Sequence, residues 1–237
     1  VIVAGGVMLA ICLPHAQFNQ PILFVALLVL SSVTAGFKVH LPLTTSGSTM
    51  SVSYAVDFAS LLLLGPHETT LVAGVSAFTQ CTVDSTDQTP LYRTPISMAS
   101  AVLTVEAAGA AYHALGGGPV ADLGALALPL VGAATVYFLL NTGLVATAIA
   151  LASHERITKT WQTNFLRSAP SYFLGAGTAA FAVAFVARAG YWIAPLTFAP
   201  LYLTYRTYKV YIGRIEDERR HVQETSDLHL ATIEALA

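Results

Sequence analysis

Long apolar runs separated by short polar or Gly/Pro-containing stretches recur from the first residue to about position 211. Their spacing predicts eight helical segments, near 1–14, 20–36, 49–64, 67–83, 95–115, 127–152, 169–188 and 191–211. A helix needs about 20 mostly apolar residues to cross a bilayer, which makes about six to eight of these segments membrane spans. The third and fourth are short and meet at the turn Gly65-Pro66-His67, so they cross obliquely or form a re-entrant pair. The predicted fold class is all-α: a polytopic transmembrane helical bundle over residues 1–205, followed by a C-terminal cytosolic signalling helix over 206–237.

Two stretches depart from simple apolar runs. Between 153 and 168, Ile157, Trp161 and Phe165 recur four residues apart, while Arg156, Lys159, Thr160, Gln162 and Thr163 take the opposite face. That pattern describes an interfacial helix with its Trp at the headgroup level, serving either as a surface anchor or as a moving coupling element. Beyond Tyr205, residues Tyr208, Tyr211, Ile215, Val222 and Leu236 fall on one frame spaced by threes and fours. Its remaining positions are Glu218, Thr225, His229 and Thr232. So polar a seam suits a homodimer stalk with two registers of similar energy, or a solvated helix connecting the membrane body to a further domain.

Composition sharpens the division between body and tail. Of 237 residues, 55% are hydrophobic and 10% charged, against roughly a quarter charged in ordinary soluble domains. Residues 1–150 hold two cations, Lys38 and Arg93, whereas 206–237 hold five cations and six anions. Because cytoplasmic loops retain Lys and Arg, the tail, the 153–168 loop, Arg93 and Lys38 are assigned to the cytoplasmic side. The Gly116-Gly117-Gly118-Pro119 loop and the Arg188-Ala189-Gly190 turn then face outward. A net charge of −2 without a basic stripe argues against nucleic acid as a partner. Cys12 and Cys81 lie in apolar segments with no CxxC or His/Cys ligand spacing, so neither a disulfide framework, a metal site nor a cofactor is expected. The chain starts with apolar residues and no Met, as a sequence beginning inside or just before a helix would, rather than with a cleaved signal peptide.

Ionisable and amide groups inside apolar segments are the candidate chemistry. Thr49, Ser53, Asp57 and Ser60 share one face of the third segment, and Glu106 shares a face of the fifth with Gly109 and His113. A carboxylate at bilayer depth costs at least about 2.5 kcal/mol, so it faces a cavity or a partner. Each is therefore either a ligand-binding group or a polar bond between helices. Gln80 and Asn141 pose the same alternatives, and with Tyr137, Tyr172 and Trp192 they frame a pocket for a ligand with a flat apolar body and one or two polar groups. No HExxH, GxSxG or GxGxxG motif occurs, so no catalytic residues are assigned and the chain is not expected to be an enzyme itself.

Two stretches resemble known families. Thr225-Ser226-Asp227-Leu228-His229-Leu230-Ala231-Thr232-Ile233-Glu234-Ala235-Leu236-Ala237 is similar to the helix that opens HD-GYP phosphodiesterase domains of bacterial signalling proteins. That resemblance implies a sensory input region in the bacterial inner membrane, with a cyclic-di-GMP phosphodiesterase-type output domain beyond Ala237. The run from His40-Leu41-Pro42 through Ser51-Val52-Ser53-Tyr54 to Leu61-Leu62-Leu63-Leu64-Gly65-Pro66 and Val72-Ala73-Gly74 resembles the early helices of vitamin-uptake substrate-binding components of energy-coupling-factor transporters. It is also similar to membrane sensor regions upstream of cyclic-dinucleotide enzymes. The implied functions are a membrane sensor for a small ligand or membrane state or, alternatively, a small-molecule uptake component.

Overall fold

The computed structural model describes residues 1–36, 38–40, 49–51, 53–82, 93–118 and 123–189. Val1–Tyr191 forms one compact unit, and residues 190–237 fall outside the described residues. The predicted eighth segment, the 206–237 linker and Trp192 therefore also lie outside them.

The described fold is all-α apart from one small ribbon. Helix α1 (Ile2–Cys12) runs into a single 3-10 turn (Leu13–His15) and is followed by α2 (Pro21–Gly36). A two-stranded antiparallel ribbon, β1 (Lys38–His40) and β2 (Thr49–Ser51), pairs Lys38 with Ser51 and His40 with Thr49. Then come α3 (Ser53–Leu63), α4 (Pro66–Thr82), α5 (Arg93–Ala114), α6 (Leu123–Ser153), α7 (Ile157–Asn164) and α8 (Ala169–Ala189). The ribbon corrects the third predicted segment: Thr49 belongs to β2 and not to the helical face of Asp57. Thr49-Met50-Ser51 satisfies its backbone through strand pairing, so the helix begins only at Ser53.

Local chemistry explains the boundaries. Gly65 takes a φ of +94°, Pro66 occupies the first position of α4, and Glu68 places an acid in its first turn. Glycine tolerates that left-handed backbone, proline lacks the N–H that would be orphaned there, and the acid complements the helix dipole. At the far end of α5, Gly116 (φ +85°) reverses the chain while the Gly117 N–H donates to the Tyr112 carbonyl at 2.8 Å, a glycine C-cap.

Helix directions follow from paired contacts. A Cβ on Gly109 would meet Pro66 at 2.7 Å, Thr70 bonds Glu106 at 2.6 Å, and Gly74 faces Val102 at 3.8 Å. Positions advance along α4 as they retreat along α5, so the two are antiparallel. Gly5 faces Ala99 and Cys12 bonds Glu106, so α1 runs parallel to α5. Tyr54 near the start of α3 touches Ser171, Tyr172 and Gly175 near the start of α8. With α3 and α4 joined by a tight turn, the starts of α3, α5 and α8 share one end of the bundle. The backbone of Lys38, the helix-opening Arg93 and the α6–α8 connection bearing Arg156 and Lys159 thus lie at that end, the grouping that charge alone predicted.

Among the described residues, two helices are long and apolar enough to cross a membrane, Leu126–Ser153 and Ala169–Arg188. Ile2–His15, Pro21–Gly36 and Ser53–Leu63 are apolar but shorter. The 11 residues of α3 reach only about 16 Å, roughly half a hydrocarbon core.

Among the described residues, hydroxyls and two carboxyls share the buried interior with the apolar core, and large apolar side chains stand exposed on several helices. Ser31, Asp57, Ser60, Thr69, Thr70, Ser76, Thr104, Glu106 and Thr142 are buried. Ile22 (86% exposed), Val25, Val29 and Val33 form an exposed apolar stripe on α2, and Leu128, Val131, Leu139, Leu174 and Phe181 are exposed on α6 and α8. Small residues set the interhelical seams: Gly5 lies against Ala99, Gly109 against Pro66 and Leu61, Gly132 against Leu115, and Gly175 against the Tyr54 ring. Close backbone approach through small residues is how helices associate where the surroundings are as apolar as leucine.

Candidate functional site

Two carboxyls are buried inside the bundle, each with its own set of partners. Asp57 on α3 is 5% exposed. The Ser31 hydroxyl of α2 donates to its Oδ1 at 3.2 Å, and the Tyr137 hydroxyl of α6 donates to its Oδ2 at 2.9 Å. One side chain thus connects three helices. The Tyr137 ring packs on Phe58 at 5.0 Å and lies 6.0 Å from the Tyr172 ring of α8. The Asn141 amide donates to the Tyr172 hydroxyl at 2.9 Å, and Tyr172 lies 4.9 Å from Tyr54. Asp57, Tyr137, Tyr172 and Asn141 therefore form one contiguous polar and aromatic network through α3, α6 and α8.

Glu106 belongs elsewhere. It is 7% exposed, and its Oε1 accepts from the Thr70 hydroxyl at 2.6 Å and the Cys12 thiol at 3.1 Å, with His67 Nδ1 at 3.3 Å. Asp57 and Glu106 thus stand in two clusters that share no hydrogen-bond partner among the described residues. The histidine beside Glu106 is His67 of α4, not His113, which is exposed and lies 3.3 Å from the Gly117 carbonyl. Gly109, on the Glu106 face as predicted, serves close packing against Pro66. Gln80 is half-buried near the end of α4 and makes no side-chain hydrogen bond among the described residues, so it joins neither cluster.

Sequence reasoning missed Ser31, Cys12, His67 and Thr70. Ser31 and Thr70 look like ordinary small polar residues of apolar helices, and Cys12 and His67 stand 55 positions apart. The available signal was placement: His67 in the first turn of α4 and Cys12 in the last of α1 lie at the same end once alternating helices are drawn. Both cysteines are free. His67 and Cys81 are separated by 14 positions of one helix, about 21 Å, which keeps Cys81 away from Cys12.

The loop helix α7 folds back on α6. Trp161 Nε1 donates to the Thr142 hydroxyl at 2.9 Å and the ring lies 5.9 Å from Phe138. Lys159, Gln162 and Thr163 are exposed as predicted, but Thr160 is buried, bonded to Glu155 at 3.2 Å, and Ile157 is exposed. The buried face is thus rotated from the predicted one, because docking against α6 rather than amphipathicity alone orients the helix.

Comparisons with protein-family profiles, with curated proteins and with solved structures find no match.

Proposed function

We propose that this chain is the membrane-embedded sensory input region of a bacterial cyclic-dinucleotide signalling protein, multi-pass in the inner membrane. The observation that carries the membrane part is the outer surface: valine, isoleucine, leucine and phenylalanine stand exposed on several helices, while Asp57, Glu106 and many hydroxyls are buried. Large apolar side chains exposed on several helices are costly in water and favourable in lipid. Buried ionisable groups in such a bundle are binding-site positions. On this reading six to eight segments enter the bilayer, α3 as a half-span, and the end bearing Lys38, Arg93, Arg156 and Lys159 is cytoplasmic.

Asp57 is the switch point of this reading. A ligand group that engages either carboxyl oxygen competes with Ser31 or Tyr137, and so changes how α2 and α6 are held to α3. Such a ligand shifts the bundle by as much as its affinities for the two packings differ. From α6 the change passes through α7 and α8 toward the predicted helix over 206–237, a homodimeric stalk leading to the output enzyme. The likeness of Thr225–Ala237 to the opening helix of HD-GYP domains supports that output.

The test is cyclic-di-GMP turnover by the full-length protein in nanodiscs. A one-residue insertion after Arg214, which rotates a helical stalk by about 100°, and Asp57→Asn should each change turnover by several fold. Turnover indifferent to both would sink the sensor reading, and ligand accumulation in vesicles would favour the uptake component.

A further inference from the structure

Glu106 is not explained by the network around Asp57, and its surroundings have the chemistry of a metal site. We infer that Cys12, His67 and Glu106 form a binding site for a divalent cation of the zinc class. Their donor atoms, one sulfur, one imidazole nitrogen and one carboxylate oxygen, lie within 4.8 Å of one another. The Cys12 sulfur and His67 Nδ1 stand 3.1 and 3.3 Å from the same Glu106 oxygen. In a tetrahedral zinc site the edges between such donors are about 3.3–3.7 Å, set by metal–ligand bonds of roughly 2.0–2.3 Å. Side-chain adjustments of an ångström or less bring the three onto that geometry.

The donor set also selects the ion. A thiolate and an imidazole disfavour magnesium and calcium, which take oxygen ligands, and favour zinc-class metals. Thiolate and carboxylate together supply two negative charges beside a neutral imidazole, so a divalent ion is neutralised in a largely apolar setting. On binding, the Cys12 thiol gives its proton to solvent and the sulfur takes the metal in its place. Cys12 and Glu106 are buried, but the His67 side chain is 38% exposed, which provides an entry path and leaves the fourth position to water. The Thr70 hydroxyl, 2.6 Å from the Glu106 oxygen, is the outer partner that orients the carboxylate.

The ligands come from α1, α4 and α5, so the ion would join three helices at the end of the bundle opposite Arg93. The site stands independently of the signalling reading.

The experiment uses the full chain carrying Cys81→Ser, purified in detergent and titrated with Co²⁺ alone. One equivalent should produce a thiolate-to-cobalt charge-transfer absorption that Zn²⁺ abolishes by competition. Cys12→Ser should remove the absorption, and Thr70→Val, which keeps every ligand, should weaken Co²⁺ binding by about 10–100-fold. His67→Ala and Glu106→Gln should weaken it further. In parallel, Zn²⁺ should slow maleimide labelling of Cys12 at least tenfold in the Cys81→Ser protein, a readout that needs no ligand variant. Absence of the absorption at millimolar Co²⁺, its persistence in Cys12→Ser, or labelling unaffected by Zn²⁺ would each overturn the assignment.

Discussion

Gly5 and Gly6 are adjacent in α1, yet alanine should have opposite effects at the two positions. A Cβ on Gly5 would sit 2.5 Å from the Ala99 Cβ, 2.6 Å from its Cα and 3.0 Å from its carbonyl oxygen, whereas one on Gly6 meets nothing within 4 Å. Carbon atoms pack at about 3.5–4.0 Å, so Gly5→Ala must push α1 from α5 by roughly 1 Å. The obstructing atoms include backbone and cannot rotate away, which places the cost toward the upper part of the ~1–3 kcal/mol range for overpacking. Against this, replacing glycine by alanine within a helix gains about 0.8–1.0 kcal/mol. Packing wins at Gly5, with a net loss of about 1–2 kcal/mol. Propensity acts unopposed at Gly6. For a chain of this size these become a fall in Tm of roughly 2–8 °C for Gly5→Ala and a rise of up to roughly 4 °C for Gly6→Ala. Thermal unfolding in detergent, followed by thiol-reactive dye, reads both. Gly5→Ala should also speed labelling of the Cys12 thiol, seven residues along the same seam, in the folded metal-free protein. A Gly5→Ala protein as stable as Gly6→Ala would refute the α1–α5 packing described above, and with it the approach of Cys12 to Glu106.

Further outcomes follow from single contacts. Tyr137→Phe removes the donor to Asp57 Oδ2 and should cost about 1–2 kcal/mol, between the average for membrane hydrogen bonds and that for bonds to charged groups; unchanged Tm would show that the pair does not hold α3 to α6. Gly109→Ala, whose Cβ would meet Pro66 at 2.7 Å and Leu61 at 3.2 Å, should destabilise by about 1–3 kcal/mol, measured by the same thermal scan. Trp161→Phe keeps the ring but loses the bond to Thr142, so hydrogen exchange in α7 should accelerate roughly fivefold for a loss of about 1 kcal/mol, with α6 unaffected. Asn141→Leu should act only if Tyr172→Phe has not already been made, because both remove the same bond; additive Tm changes would contradict the 2.9 Å contact.

Helix positions were legible in the chain because apolar runs, Gly65-Pro66 and Gly116-Gly117 act locally. Seven of the eight predicted segments have helical counterparts among the described residues. The grouping of Lys38, Arg93 and the 153–168 loop at one end was legible too, since alternating helices leave two ends to choose from. Asp57 and Glu106 stood out because carboxyls are rare in such segments.

What each carboxyl touches was decided by tertiary structure alone. Asp57 bonds residues 26 and 80 positions away, and Glu106 bonds Cys12 at a separation of 94. Helical periodicity says which residues share a face, as Glu106 and His113 do on paper, but not how far the helix is rotated or which neighbour it meets. Those depend on where glycines let backbones approach: Gly5 brings α1 onto α5 and Cys12 to Glu106, and Gly109 admits Pro66 and places His67 beside them. The apolar stripe of α7 likewise left its docking partner unspecified until Thr142 and Phe138 received Trp161. Sequence by itself determined the helices and their polar positions; packing between helices remote in sequence determined the two clusters.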